Sequence, residues 1–244
     1  MARYGDGQRG KGAVLTIFRV AETGSTNIDM LASASAGTSI EGDWLIAGRQ
    51  TAGRGRSGRG WASPPGNLFA SGLVSLRPGD PSAPTLALVA AVALADALAV
   101  SGSTLKWPND LLVGKAKLAG ILLERQGNQV VVGIGVNLVR HPDLPERPTT
   151  SLAALGIVRS IETVIAAIIA ALDHWLAVWR TDLAVIRTAW LTRAHPPGTP
   201  LSAAAPDGSR TDGRFDGLTE DCALRLALAD GSVRAIHAGD VFLI

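Results

Sequence analysis

Residues 104–137 read TLKWPNDLLVGKAKLAGILLERQGNQVVVGIGVN, and this stretch decides the fold. It holds three apolar runs, 104–107, 118–124 and 130–136, each too short for a helix. They are punctuated by Pro108-Asn109-Asp110 and Gly127-Asn128, so they read as central strands joined by turns. Upstream, 15–20, 44–47 and 67–76 also read as strands, and Ser25 or Thr26 is expected to cap a short helix running through Ala36. Residues 86–100, dominated by Ala and Leu, have strong helix propensity.

From Ser160 the period changes. Ile161, Val164, Ile165, Ile168, Ile169, Leu172, Trp175, Leu176 and Trp179 fall at three- and four-residue spacing, the signature of an amphipathic helix. A second helical pattern, Leu183, Ile186, Trp190 and Leu191, stops before His195-Pro196-Pro197-Gly198, where consecutive prolines forbid continuation. Beyond it Cys222, Leu224, Leu226 and Leu228 alternate every two residues. Pro206-Asp207-Gly208 and Asp230-Gly231 supply hairpin turns. The expected architecture is α+β: a flexible leader over 1–14, a mixed-sheet domain over 15–195 and a small β-barrel over 198–244.

Composition bounds what this chain can be. Over 244 residues, 47% hydrophobic and 18% charged exclude a disordered chain. The apolar helix at 86–100 is interrupted by Asp96 and is shorter than the ~20 residues a bilayer demands, so no membrane span is expected. The apolar run beginning at Ala13 stops at Arg19, too soon for a secretory signal, and the expected location is the cytoplasm. One cysteine, Cys222, cannot form an internal disulfide, and His141, His174, His195 and His237 are too scattered for a structural zinc site. Net charge is +2, and the leader (Arg3, Arg9 and Lys11 against Asp6) accounts for all of it. Distribution says more: between Asp43 and Asp80 there is no acid, while Arg49, Arg54, Arg56, Arg59 and Arg77 all fall in that window.

Gly53-Arg54-Gly55-Arg56-Ser57-Gly58-Arg59-Gly60-Trp61 combines glycines, which let a backbone approach a ligand closely, with guanidinium forks matched to carboxylate and phosphate. It lacks the Gly-Lys-Ser/Thr ending of a Walker loop and the dinucleotide fingerprint. From composition alone it also reads as a loose RNA-binding loop, although aromatics interleaved with the arginines would then be expected. Lys117, at the start of an apolar strand, aims a compact charge at the sheet's end, and Gly120 leaves room beside it. Taken in isolation, Lys115 and Lys117 also read as ordinary solvated turn lysines. Asp110 reads either as a turn former or as a ligand for metal. The strand 132–137 ends in Asn137, able to hydrogen-bond a base.

Together these segments resemble the biotin-protein ligases. The resemblance runs from about Phe18 to Ile244 through six ordered motifs: Glu22-Thr23-x-Ser25-Thr26-Asn27, Gln50-x2-Gly53-Arg54-Gly55-Arg56, Trp61-x-Ser63-Pro64, Lys106-Trp107-Pro108-Asn109-Asp110, Lys117-Leu118-Ala119-Gly120-Ile121-Leu122 and Gly133-Ile134-Gly135-Val136-Asn137. It implies a core like class II aminoacyl-tRNA synthetases with an SH3-like C-terminal barrel. The implied activity joins biotin to AMP from ATP, with Mg2+, and passes biotin to one lysine of a biotin carboxyl carrier domain.

The resemblance places Ser25, Thr26, Asn27, Gln50, Gly53, Arg54, Gly55, Arg56, Lys117 and Gly120 around biotin. It places Arg54, Arg56, Arg59, Trp61, Lys106, Asn109, Asp110 and Asn137 around ATP. Lys117 and Arg54 would be catalytic, and Mg2+ would arrive on ATP with Asp110 as its candidate protein ligand. Ser57 departs from the basic residue common at its position. Only about 15 residues precede the first strand, so the monofunctional type is expected, without a DNA-binding domain; a homodimer stays open. The rival readings are a lipoate-protein ligase or related acyltransferase, and an RNA-binding module.

Overall fold

The computed structural model describes residues 15–144, 147–205 and 208–244. The leader, and Pro206 and Asp207 of the expected Pro206-Asp207-Gly208 turn, therefore lie outside the described residues.

Seven strands make the main sheet: β1 (Ile17–Thr23), β2 (Trp44–Gln50), β3 (Leu68–Ser75), β4 (Ser103–Lys106), β5 (Asp110–Val113), β6 (Ala116–Gln126) and β7 (Gln129–Val136), in the order β1-β2-β3-β7-β6-β5-β4. Only β1 and β2 run parallel, joined through helix α1 (Thr26–Ser35), and every other pairing is antiparallel. The expected mixed sheet is thus present. The sequence predicts a turn at Pro108-Asn109-Asp110 and no strand after it, but Asp110–Val113 is a strand that pairs with both β4 and β6. The turn residues Pro108 and Asn109 are tight enough for pairing to resume at once, Lys106 opposite Asp110.

Side chains alternate across a strand, so pairing sorts the sheet into two faces. Trp44, Ile46, Ala70, Val74, Ala119, Ile121, Val132, Ile134 and Val136 join the large core that contains helix α2 (Leu86–Leu98), helix α3 (Ile161–Thr181) and helix α4 (Leu183–Leu191). The opposite face carries Leu45, Leu73 and Val131, against which α1 packs Met30. Ten of α2's thirteen residues are buried, as an Ala- and Leu-rich helix lying between a sheet and other helices must be.

At 21 residues α3 is longer than the apolar 86–100 helix, and among the described residues it is long and apolar enough to cross a membrane by length and composition. Here it buries Val164, Ile165, Ile168 and Trp179 in the core instead. Ser160 caps it by accepting from Thr163 N at 3.1 Å, and Asp182 caps α4 by accepting from Ala184 N at 2.8 Å.

The C-terminal unit is a five-stranded antiparallel sheet of β8 (Pro200–Ala204), β9 (Arg210–Leu218), β10 (Leu224–Ala227), β11 (Val233–Ile236) and β12 (Asp240–Leu243), ordered β11-β10-β9-β8-β12. Its alternating Leu224 and Leu226 are fully buried, and β10 and β11 flank the Asp230-Gly231 turn as expected.

Candidate active site

The α1 side of the main sheet is only partly covered, and where α1 ends its surface is made of glycine. Gly120 pairs with Gly135, and Leu122 with Gly133, while β3 places Phe69 and Ser71 opposite the last two glycines. Directly opposed residues point the same way, so these positions share one face. An added Cβ on Gly133 would collide with the Asn27 carboxamide. On Gly135 it would come within 2.6 Å of the Trp61 ring, and on Gly120 within 2.9 Å of both Trp61 and the Lys117 side chain. The glycines are there because other side chains lie flat on them.

Beside Gly133 is a buried polar cluster. Ser25, Thr26, Asn27 and Ser71 are all nearly inaccessible. Gln50, at the end of β2, accepts from Thr26 N at 2.9 Å and lies 3.1 Å from the Thr26 hydroxyl. The Ser71 hydroxyl is 2.7 Å from the Thr26 hydroxyl and 2.6 Å from Asn27 Oδ1, and Asn27 Nδ2 donates to Leu122 O at 3.2 Å. The expected helix cap is corrected here. Ser25 occupies the N-cap position without a capping side-chain bond. The Gln50 carboxamide, delivered by the neighbouring strand, satisfies the helix end instead.

Residues 53–61 fold back on themselves. Trp61 N donates to Gly53 O at 2.9 Å, and Gly55 N to Arg59 O at 2.7 Å. Ser57 adopts φ 56° at the bend, a left-handed conformation uncommon for a residue with a side chain. This brings Trp61 onto the glycines, with Lys117 Nζ 5.1 Å from its ring centroid, within cation–π range. A Cβ added at Gly53 would come within 2.6 Å of Trp61 O, 3.0 Å of Ser63 Oγ and 3.1 Å of Gln50 Nε2, so the loop passes close beside the polar cluster.

Beyond Trp61 opens a cavity of about 780 Å³. Gly55, Arg56, Arg59, Trp61, Lys106, Asn109, Asp110, Lys117, Gly120 and Asn137 line it, so most of the residues expected at the site converge. Ser25, Thr26, Asn27, Gln50 and Gly53 do not line it; Thr26 and Gln50 are joined by hydrogen bonds in the polar cluster. Arg54 is set apart: its guanidinium is 54% exposed, donates to Glu124 at 3.1 Å and does not line the cavity. Asn137 lines the cavity but is buried, its Nδ2 donating to Thr150 O at 3.0 Å and its backbone N to Leu118 O at 3.0 Å. It anchors the connection after β7 to β6. Asn109 Nδ2 likewise donates to Ile121 O, at 2.6 Å.

Four of the cavity's cations are held by two carboxylates. Asp110 lies 2.9 Å from Lys106 Nζ and 2.5 Å from Lys117 Nζ. Burial alone would favour its neutral acid, but Lys117 and then Lys106 outweigh burial and bring its pKa down to about 2. Asp240, from β12, accepts both Nη1 and Nη2 of Arg59, and Arg56 Nη1 stands 3.9 Å away. The hydrogen bond to Arg59 holds the Asp240 carboxyl below its ordinary range and raises Arg59. Burial lowers Arg56, whose Nη1 is enclosed without a hydrogen-bond partner. The same strand receives Lys106, whose Nζ donates to Val241 O at 2.8 Å.

Counting Lys115 and Arg147, six cations face two carboxylates around the cavity among the described residues, a net +4. Ser71, Asp240 and Arg147 escaped the sequence reading, and Lys115 was set aside as a turn residue. Ser71 sits mid-strand in an apolar run, and a buried hydroxyl there was the one available signal.

A glycine-floored sheet with this polar cluster and arginine loop defines a class, and comparison with known proteins gives the same one. Residues 26–138 match the Biotin/lipoate A/B protein ligase family, and residues 206–244 match the Biotin protein ligase C terminal domain. The chain is 38% identical to a biotin-[acetyl-CoA-carboxylase] ligase of Paracoccus denitrificans, over 91% of this chain and 98% of that protein. It is 35% identical to the ligase of that name from Mycobacterium tuberculosis, over 91% and 86%. Among solved structures it superposes on the biotin protein ligase of Aquifex aeolicus in complex with biotin and ATP, with a TM-score of 0.82 at 23% identity, covering 93% of this chain and 99% of that one. The chain belongs to the biotin protein ligase family, in the group of the biotin-[acetyl-CoA-carboxylase] ligases.

Proposed function

We propose that this protein activates biotin as biotinyl-5′-adenylate and transfers it to one lysine of a biotin carboxyl carrier domain. A single juxtaposition carries the reading: a neutral, buried hydrogen-bonding cluster lies one glycine pair away from a cavity with excess positive charge. Thr26, Asn27, Gln50 and Ser71 offer both donors and acceptors, as an uncharged ureido ring requires. Lys117, Arg56 and Arg59 supply the positive charge that a carboxylate and a phosphate require.

In the first step a biotin carboxylate oxygen attacks the α-phosphorus of ATP. The bond from that phosphorus to the bridging oxygen breaks, and its electron pair leaves on pyrophosphate. Lys117, held by Asp110 and by the Trp61 ring, is placed to donate to the oxygens where charge accumulates. In the second step a neutral lysine amine attacks the acyl carbon, the carbon–oxygen bond to phosphate breaks, and AMP leaves as the amine sheds a proton. Positioning and electrostatics do the work in both steps.

The donor set does not build a cage for Mg2+. Asp110 already faces an ammonium group at each oxygen, and the described residues hold no group of three metal-type side chains. Mg2+ fits this site as part of the nucleotide, which agrees with its habit of keeping water and phosphate oxygens as ligands. The lipoate alternative is disfavoured because a plain acyl chain would make no use of the hydrogen-bonding Thr26–Asn27–Ser71 cluster, and the relatives at 35–38% identity are biotin ligases.

The test is intact-mass measurement of a carrier domain after incubation with biotin and MgATP. One biotinyl group on one lysine is expected. No gain with biotin, or an equal gain with lipoate, would overturn the reading.

A further inference from the structure

The inner cavity is balanced in threes. Lys106 and Lys117 share Asp110, and Arg56 and Arg59 share Asp240, so each trio keeps one uncancelled positive charge. Those two charges answer the two anionic groups that react, one carboxylate and one α-phosphate. Two more cations line the same cavity: Lys115, in the turn between β5 and β6, and Arg147, in the connection after β7. Neither has a carboxylate within ion-pair distance among the described residues. Arg147 is steered from the C-terminal sheet, its guanidinium 5.2 Å from the Phe242 ring centroid, while Arg210 lies 4.8 Å from the same ring.

We propose that Lys115 and Arg147 form the subsite for the pyrophosphate end of ATP, holding the β- and γ-phosphates and receiving the leaving group. The proposal rests on the ligase reading above. Its physical content is a division of charge. The trios face the carboxylate and α-phosphate that join in the adenylate, and the unpaired cations face what departs. As the α-phosphorus bond breaks, the bridging oxygen takes up negative charge, and cations fixed at that end lower the barrier to its departure. The subsite has no work to do once pyrophosphate has left.

That last point sets the experiment. Lys115→Ala, Arg147→Ala and the double variant are compared with wild type in biotin-dependent pyrophosphate release at varied ATP and added pyrophosphate. The same proteins are then given preformed biotinyl-5′-adenylate and a carrier domain. Both side chains are exposed and neither makes a hydrogen bond among the described contacts, so the variants should fold. Each single change should raise KM for ATP and weaken pyrophosphate inhibition by about tenfold. Arg147→Lys should recover part of the loss, and transfer from preformed adenylate should stay within about twofold.

Unchanged KM and inhibition in an active enzyme would overturn the subsite alone. A matching loss in the transfer step would also overturn it, assigning these cations to the carrier instead. A wild-type protein that released no pyrophosphate would overturn the ligase reading itself.

Discussion

Arg59 and Asp240 meet in a two-pronged ion pair although 181 positions separate them in the chain. One belongs to the glycine-arginine loop and the other to the first position of β12, so the C-terminal sheet is a wall of the cavity. The loop holds no apolar side chain to bury between Gly53 and Gly60, and ordering its backbone costs about 1 to 2 kcal/mol per residue. Asp240 offsets part of that cost.

Asp240→Asn should therefore loosen the loop. Amide exchange over 53–60 is expected to accelerate in the variant without ligand and to slow again with biotin plus ATP, because phosphate then does what the carboxylate did. Exchange rates equal to wild type in both conditions would count against this coupling.

Lys117→Ala should reduce adenylate formation by about 100- to 1000-fold, the cost of removing one donor aimed at developing charge. It should also destabilise the protein, since Asp110 would keep only Lys106 in a buried place. Lys117→Ala combined with Asp110→Asn should regain stability without regaining activity. Acid titration gives an independent check on the pair. A carboxyl lowered from 3.8 to about 2 on folding adds stability above its unfolded pKa and loses it as pH falls through that window. Roughly 2 kcal/mol should disappear between about pH 4 and pH 2 in wild type and not in Asp110→Asn. Denaturant titrations that show the same acid slope in both proteins would refute the assignment.

Arg56→Ala should release reactive adenylate into solution, seen as biotin on bystander lysines, more than Arg54→Ala does. Arg56 is half-buried at the cavity, with an Nη1 that has no hydrogen-bond partner, whereas Arg54 points outward to Glu124. The sequence offers two arginines in identical glycine settings, and only the fold tells them apart. The reverse order of the two variants in a labelling assay would mean the loop reorganises around ligand.

Gly133→Ala should raise KM for biotin by at least about tenfold, because the new methyl group must displace the Asn27 carboxamide. A stability loss of about 1 to 3 kcal/mol should accompany it, the usual cost of overpacking. Gly127→Ala is the comparison: its Cβ meets nothing within 4 Å, although φ is +58°. It should cost stability with no change in biotin KM, and parallel effects from both substitutions would remove the special role of the glycine floor.

The sheet and its helices were legible because apolar periodicity is local. The three central strands, the 86–100 helix and the two helices before the Pro196-Pro197 stop appear within a few residues of where the sequence puts them. Asp110–Val113 was lost because Pro108-Asn109 is a strong turn signal that masks a short strand after it. Motif order singles out Thr26, Asn27 and Gln50, which the fold gathers in the polar cluster, and Arg56, Lys117 and Gly120, which it brings to the cavity. What stayed hidden depends on distant partners: Asp240 has no local mark distinguishing it from a turn acid, and the Ser25 cap was displaced by Gln50 from another strand. Charge pairing across 181 residues cannot be read from composition.

Trp61 lines the cavity in contact with Lys117 and the glycines, while Trp44, Trp107, Trp179 and Trp190 are sealed in the core and Trp175 donates to Asp96 at 2.9 Å. The protein thus carries its own optical probe. Indole emission responds to nearby charge and to water, and one ring among six stands where both change on binding. Titrating unlabelled protein by fluorescence consequently follows events in the cavity itself, and Trp61→Phe supplies the dark control.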